Sequence, residues 1–228
     1  MSVDSISFII FSVNTRYVTR WITGGLMLFI PVLNFFSLGY LARASSMFMI
    51  GGIGLPTWER KDEVWKEGAK LLYILILYEA VPSFLFSCAF LLASFGNFLT
   101  VFMAGILKIL AAIAFLLCSF FIPFAVCSYA EDMEVRRAFE FERIARGVRE
   151  VLARYIVGYL LSGVCIYAAY MVHRIPYLVG FIVSSIAVYY VLLVATHYYT
   201  QLYKGTSITA GRSEPAQGVA DGSVLSLE

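Results

Sequence analysis

Apolar positions in this chain do not alternate; they run in long blocks. Trp21–Ala42, Leu71–Leu92, Ile109–Ala130, Tyr155–Val172 and Ile175–Thr196 hold a single charged residue among them, Glu79. Each block approaches or exceeds the roughly 18 to 20 apolar residues that a helix needs to cross about 30 Å of hydrocarbon. One such block can be a buried core helix, but five in a chain of 228 residues cannot share a water-soluble core. The pattern predicts an all-α, polytopic helical membrane bundle. Its transmembrane domain spans 1–204, with about five membrane segments near 21–42, 70–92, 99–129, 155–172 and 176–200.

Interruptions inside and between the blocks refine this picture. The first block contains Gly24, Gly25, Pro31, Asn34 and Gly39. Proline inside a helix removes a backbone hydrogen bond, so the segment is read as a kinked span, with a re-entrant hairpin turning near Pro31–Asn34 as the alternative. Ser5–Val13 precedes it as an interfacial helix or a disordered lead-in. Gly51–Trp65 reads as a loop, flexible at its glycines, with Trp58 and Trp65 as interfacial anchors. The third block, apolar from Phe98 to Tyr129, is longer than a bilayer requires; it tilts, protrudes or begins near Lys108. Residues 131–154 then mix acids with arginines, and Phe141, Ile144, Ala145, Val148, Val151 and Leu152 recur at helical spacing. This is the signature of one amphipathic surface helix. Gly158 with Ser162, and Gly180 with Ser184, are small pairs suited to close helix approach. Residues 205–228 are polar and small, which predicts a disordered tail.

Composition sharpens the class. Charged residues make up 14% of the chain and hydrophobic ones 61%, against about 25% charge in soluble domains, which leaves no room for a second globular domain. Cys88, Cys118, Cys127 and Cys165 all fall inside predicted spans without metal-ligand spacing, as apolar packing residues do. The N-terminal stretch has no basic region and carries Asp4, so it reads as retained rather than as a cleaved leader. With five spans, Arg43, Arg60, Lys61, Lys66, Lys70, the surface-helix arginines, Lys204 and Arg212 share one side. Arg16, Arg20 and Arg174 lie opposite. The positive-inside bias puts the first group and the tail in the cytoplasm of a multi-pass cell-membrane protein, and the N-terminus outside. A re-entrant first segment would bring Arg16 and Arg20 inside and strengthen the bias.

Candidate chemistry is sparse. Ionisable groups at membrane depth are costly and usually pair or line a pathway. Counted outward from the turn near Ser94–Phe95, Glu79 and Lys108 come to nearly matching depths, which predicts an intramembrane charge pair. The alternative has Lys108 snorkelling and Glu79 hydrogen-bonded to Tyr78 or a carbonyl. Pro82, three residues after Glu79, should kink that helix. Arg136, Arg137, Arg143, Arg146, Arg149 and Arg154 either form a solvated, salt-bridged face or contact anionic lipid headgroups. No metal site, phosphate loop or nucleophile elbow is visible, and no cofactor or nucleic-acid partner is expected.

One ordered set of features carries a family resemblance: Gly24-Gly25, Ile30-Pro31-Val32-Leu33-Asn34, Leu38-Gly39-Tyr40-Leu41-Ala42-Arg43, Leu55-Pro56 with Trp58, Gly68-Ala69-Lys70, and Ala138-Phe139-Glu140-Phe141. In these the chain resembles a prokaryotic, largely archaeal, membrane family known as domain of unknown function 4013, over about Trp21 to Tyr203. Arg60-Lys61 departs from the pattern by making a usually acidic stretch nearly neutral. The resemblance implies a polytopic bundle and carries no activity. The expected function is that of a non-enzymatic membrane scaffold or transport-accessory protein with lipid contacts, partnered by lipid and by its own copies or another membrane protein. The alternative is a small solute or ion transporter using Glu79 and Lys108.

Overall fold

The computed structural model describes residues 3–52, 54–175 and 177–210. These form α1 (Val3–Ser12), α2 (Thr15–Leu28), α3 (Asn34–Met49), α4 (Lys61–Ser94), α5 (Phe98–Asp132), α6 (Phe141–Glu150), α7 (Leu152–Met171), α8 (Tyr177–Lys204) and α9 (Ser207–Ala210), with no strand among the described residues. Four helices, α4, α5, α7 and α8, are long and apolar enough to cross a membrane. The protein is a helical membrane bundle.

The first apolar block is not one span. The chain breaks between Leu28 and Asn34, where Pro31 cannot donate to a helix ladder and Val32 sits at φ 71°, a left-handed conformation that a β-branched residue rarely takes. α2 and α3 fold back on each other as a hairpin. The Ser37 hydroxyl donates to the Gly24 carbonyl at 2.6 Å.

Three antiparallel hairpins therefore build the bundle: α1–α2 with α3, α4 with α5, and α7 with α8. Their turns point one way, and the linkers and both described chain ends lie at the other end, the base. Phe8 stacks on His197 at 4.1 Å near the base. The amine of Lys204 donates to the Phe48 carbonyl at 3.3 Å. Arg20 reaches the Leu55 carbonyl in the α3–α4 linker. The N-terminal helix thus sits on the same side as the end of α8, which corrects the opposite placement that five spans require.

α3 occupies the middle, packed against α2, α4, α5 and α8. Its crossing with α4 is closest where Gly39 meets Gly68. A Cβ built on Gly39 would fall on the Val64 carbonyl and 3.0 Å from the Gly68 nitrogen. On its other side, Gly24 and Gly25 let α2 lie against Tyr189 and Ile186 of α8. The α4–α5 turn is set by Gly96 at φ 70° and by Asn97, whose side chain caps α5 by accepting from the Thr100 amide at 2.9 Å. Both long helices run unbroken through their internal prolines, Pro82 and Pro123.

The region 131–154 is not a single surface helix. α5 continues to Asp132 and ends at Met133, φ 56°. A 3-10 turn, Val135–Phe139, and α6 follow, and α7 has already begun at Leu152. Of the predicted apolar side, Ile144 and Val148 are buried in the core beside Ala138, whereas Phe141 and Leu152 are exposed. Of the predicted disordered tail, 205–210 forms a turn and α9, and 211–228 lies outside the described residues.

Candidate functional site

Polar chemistry concentrates at the base, where two ion clusters close the hairpins. In the first, Arg43 of α3 binds Glu67 of α4 at 2.6 Å and Glu63 at 3.0 Å. In the second, Arg143 of α6 binds Glu131 of α5 at 2.8 Å and Glu140 at 3.5 Å, while Tyr203 of α8 donates to Glu131 at 3.2 Å. Arg137 holds Asp132 at 3.1 Å and Glu140 at 3.3 Å. Burial opposes the charge on Arg143, but Tyr203, Glu131 and Glu140 outweigh it and raise its pKa above the usual arginine value.

The six arginines thus divide. Arg137 and Arg143 are consumed by acids of their own chain. Arg146 makes one long, exposed contact with Glu142 at 3.5 Å. Arg136, Arg149 and Arg154 are exposed and make no ion pair among the described residues. A groove of about 600 Å³ between α6 and α9 is lined by Glu140, Phe141, Glu142, Arg143, Arg146, Ser207 and Ile208.

Glu150 closes this side by accepting from the Ser207 hydroxyl and, at 2.7 Å, from the Ser207 amide, which tie α9 to α6. Those two bonds lower its pKa below the usual carboxylate value. A depressed carboxylate contributes stability that is present above the unfolded-state pKa, about 4.3, and is lost as pH falls through the lower folded value. Protection of the Ser207 amide from hydrogen exchange should therefore collapse below about pH 4. Glu150→Gln should remove that pH dependence; an unchanged profile in the variant would assign it elsewhere.

The two tryptophans do not act alike. Trp58 is tucked into the protein: its indole N–H donates to the Arg20 carbonyl at 3.1 Å, and its ring stacks on Tyr40 at 4.4 Å. It fastens the α3–α4 linker to the first hairpin. Trp65 is exposed on one side, with Phe35 on the other at 5.3 Å. The linker itself is pinned rather than loose, since Leu55 is buried and the Tyr40 hydroxyl donates to the Pro56 carbonyl at 3.0 Å.

Glu79 and Lys108 do not meet. The register of α4 on α5 is fixed by Tyr129, which donates to the Glu67 carbonyl at 3.3 Å, and by Cys118, which lies beside Tyr78 and Glu79. That register sets Lys108 level with about Ala89, some ten residues or roughly 15 Å along the axis from Glu79. Counting from the turn failed because the effective midpoint lies near Phe98, not Phe95, and each residue of error shifts the partner by two. Tyr78 is not a partner for Glu79 either, because its hydroxyl donates to the Ala138 carbonyl at 2.6 Å. The cysteines are all free; Cys127 is buried, 3.8 Å from the Thr200 hydroxyl, which itself lies 3.0 Å from Ser45.

A family model described as "Protein of unknown function (DUF4013)" matches residues 22–196. The chain belongs to this family. No curated protein and no solved structure gives a significant match. The segments that carry the DUF4013 resemblance turn out to be the joints between hairpins. Gly24-Gly25 receives α8, Gly39 and Gly68 form the α3–α4 crossing, Pro56 and Trp58 pin the linker, and Phe139 stacks on Tyr78 at 5.6 Å.

Proposed function

We propose that this DUF4013 protein is a non-enzymatic scaffold or transport-accessory protein of the cell membrane, with its base and C-terminal end in the cytoplasm. One observation carries this reading: Glu63, Glu67, Glu131, Asp132 and Glu140 at the base are paired by Arg43, Arg137 and Arg143, whereas Arg136, Arg149 and Arg154 face outward with no ion pair among the described residues. Outward arginines at the edge of a membrane bundle suit anionic headgroups, each contributing about 1 kcal/mol near a charged leaflet. The orientation follows from charge. Among the described side chains only Glu79, Lys108 and Arg174 lie away from the base, so the positive-inside bias acts on the base as a whole.

Transport through the bundle was motivated by a Glu79–Lys108 pair, and the register keeps those residues apart. The test combines two readouts. Arg136, Arg149 and Arg154 changed together to Gln should reduce binding to phosphatidylglycerol vesicles at least tenfold, with the melting midpoint retained. Proteoliposomes of the wild type should show no ion or proton leak above empty vesicles. A leak abolished by Glu79→Gln would replace the scaffold with a transporter.

A further inference from the structure

Between Pro82 and Ala114 the α4–α5 hairpin makes no hydrogen bond, ion pair or ring contact with another described element; below that stretch Tyr78 touches Ala138, Phe139 and Phe141, and Ser119 meets Tyr159 of α7 at 2.7 Å. The hairpin's two helices meet along stripes spaced three and four residues apart: Tyr78, Pro82, Leu85, Ala89 and Leu92 on α4, and Ala104, Leu107, Ala111, Ala114 and Cys118 on α5, all buried or half-buried. Glu79 follows Tyr78 by one position, and Lys108 follows Leu107 by one. Both are therefore displaced from the contact stripe in the same rotational sense. In an antiparallel pair such positions share one flank of the hairpin, as equal heptad positions do in an antiparallel coiled coil. The same flank carries Phe86, Val101 and Phe115, which are 57%, 50% and 52% exposed. Neither Glu79 nor Lys108 has an ion pair or side-chain hydrogen bond among the described residues. The result is an apolar strip bearing one negative and one positive group about 15 Å apart along the helix.

We infer that this flank docks a transmembrane helix of another protein, one carrying a basic residue at the depth of Glu79 and an acidic residue about ten positions toward the depth of Lys108. Charge decides against a second copy of this chain. A two-fold dimer in a membrane has its axis along the bilayer normal, so each residue meets its own depth, and Glu79 would face Glu79 and Lys108 face Lys108. Lipid alone covers the apolar positions but leaves the carboxyl of Glu79 without a partner at membrane depth, which is costly. A helix of the opposite pattern satisfies both groups and packs its apolar residues against Phe86, Val101 and Phe115. This inference rests on the scaffold reading and supplies the class of its partner.

The experiment uses the full chain with a donor fluorophore on an added N-terminal tag, in phosphatidylcholine vesicles. Acceptor-labelled Leu/Ala membrane-spanning helices are titrated in: one with Lys and Glu at the matching depths, one with the two charges exchanged, and one without charges. The matched helix should associate about fivefold to tenfold more tightly than either other helix, in line with polar contacts between membrane helices. Glu79→Gln, nearly isosteric and checked by its melt, should remove most of that preference, and Lys108→Met part of it. Equal association of all three helices overturns the proposal. So does a preference that survives Glu79→Gln, and so does Glu79-dependent energy transfer between two copies of the chain. Phosphatidylglycerol binding through Arg136, Arg149 and Arg154 is read in a separate assay, so a failure here stays distinguishable from a failure of the scaffold reading.

Discussion

Gly39→Ala and Gly68→Ala should each destabilise the bundle by about 2 to 3 kcal/mol, the largest effects of any single methyl added to this chain. At Gly39 the new Cβ would fall on the Val64 carbonyl, and at Gly68 on the Phe35 carbonyl. Both obstacles are backbone, so no rotamer change relieves them, and the helices must separate. Separation would also loosen the Arg43 clamp to Glu63 and Glu67, which spans the same crossing. Two other glycines make internal controls. Nothing lies within 4 Å of a Cβ at Gly105 or Gly163, both inside helices. There the substitution should be neutral or stabilise by up to about 1 kcal/mol through helix propensity. Melting midpoints in one detergent decide the matter. Equal midpoints for Gly39→Ala and Gly105→Ala would remove the close crossing.

Much of this architecture was legible in the residues. Uncharged blocks identified the spanning helices, because a continuous apolar run of this length satisfies its backbone inside hydrocarbon as a helix, whereas the strands of a closed barrel alternate in polarity. The first block was ambiguous for a definite reason: Pro31 and Asn34 signal a break without saying whether the chain continues or reverses. The reversal depends on Ser37 reaching Gly24 and on Arg20 reaching the linker, which are tertiary contacts. The basic count had offered a hint, since a reversal makes the charge asymmetry steeper. The surface helix failed differently. Periodicity of apolar residues does not report breaks: Ile144 and Val148 of α6 are buried at helical spacing, while Phe141 at its start and Leu152 just past its end are exposed.

The charge pair shows the limit of depth counting. Two residues on a hairpin meet only if the turn's effective midpoint is known, and Gly96 with the Asn97 cap extends the turn by a few residues. Tyr129 and Glu67 were the available register marks, but neither is distinguishable in sequence from other base residues. What the chain did not reveal is which arginines are already taken. Arg143 and Arg149 look alike in sequence; only Glu131, twelve residues before Arg143 and on another helix, separates them.

That separation makes the second large prediction. Arg143→Gln should cost about 2 kcal/mol, since it takes the guanidinium away from Glu131, whose side chain is only 12% exposed, and from Glu140. The cost lies between that of breaking a fully buried pair, about 3 to 5 kcal/mol, and that of an exposed one, about 0 to 1, because Arg143 keeps some contact with solvent. Arg149→Gln removes no ion pair or side-chain hydrogen bond among the described residues and should change stability by less than about 0.5 kcal/mol. Vesicle binding should rank the two variants in the opposite order: phosphatidylglycerol affinity falls for Arg149→Gln and holds for the folded fraction of Arg143→Gln. Glu131→Gln combined with Arg143→Gln should recover part of the lost stability, because a carboxylate deprived of its arginine is then gone. If the double variant melts no higher than Arg143→Gln alone, the lost charge contact is not the cause, and the loss belongs to the packing of the arginine's stem against the base.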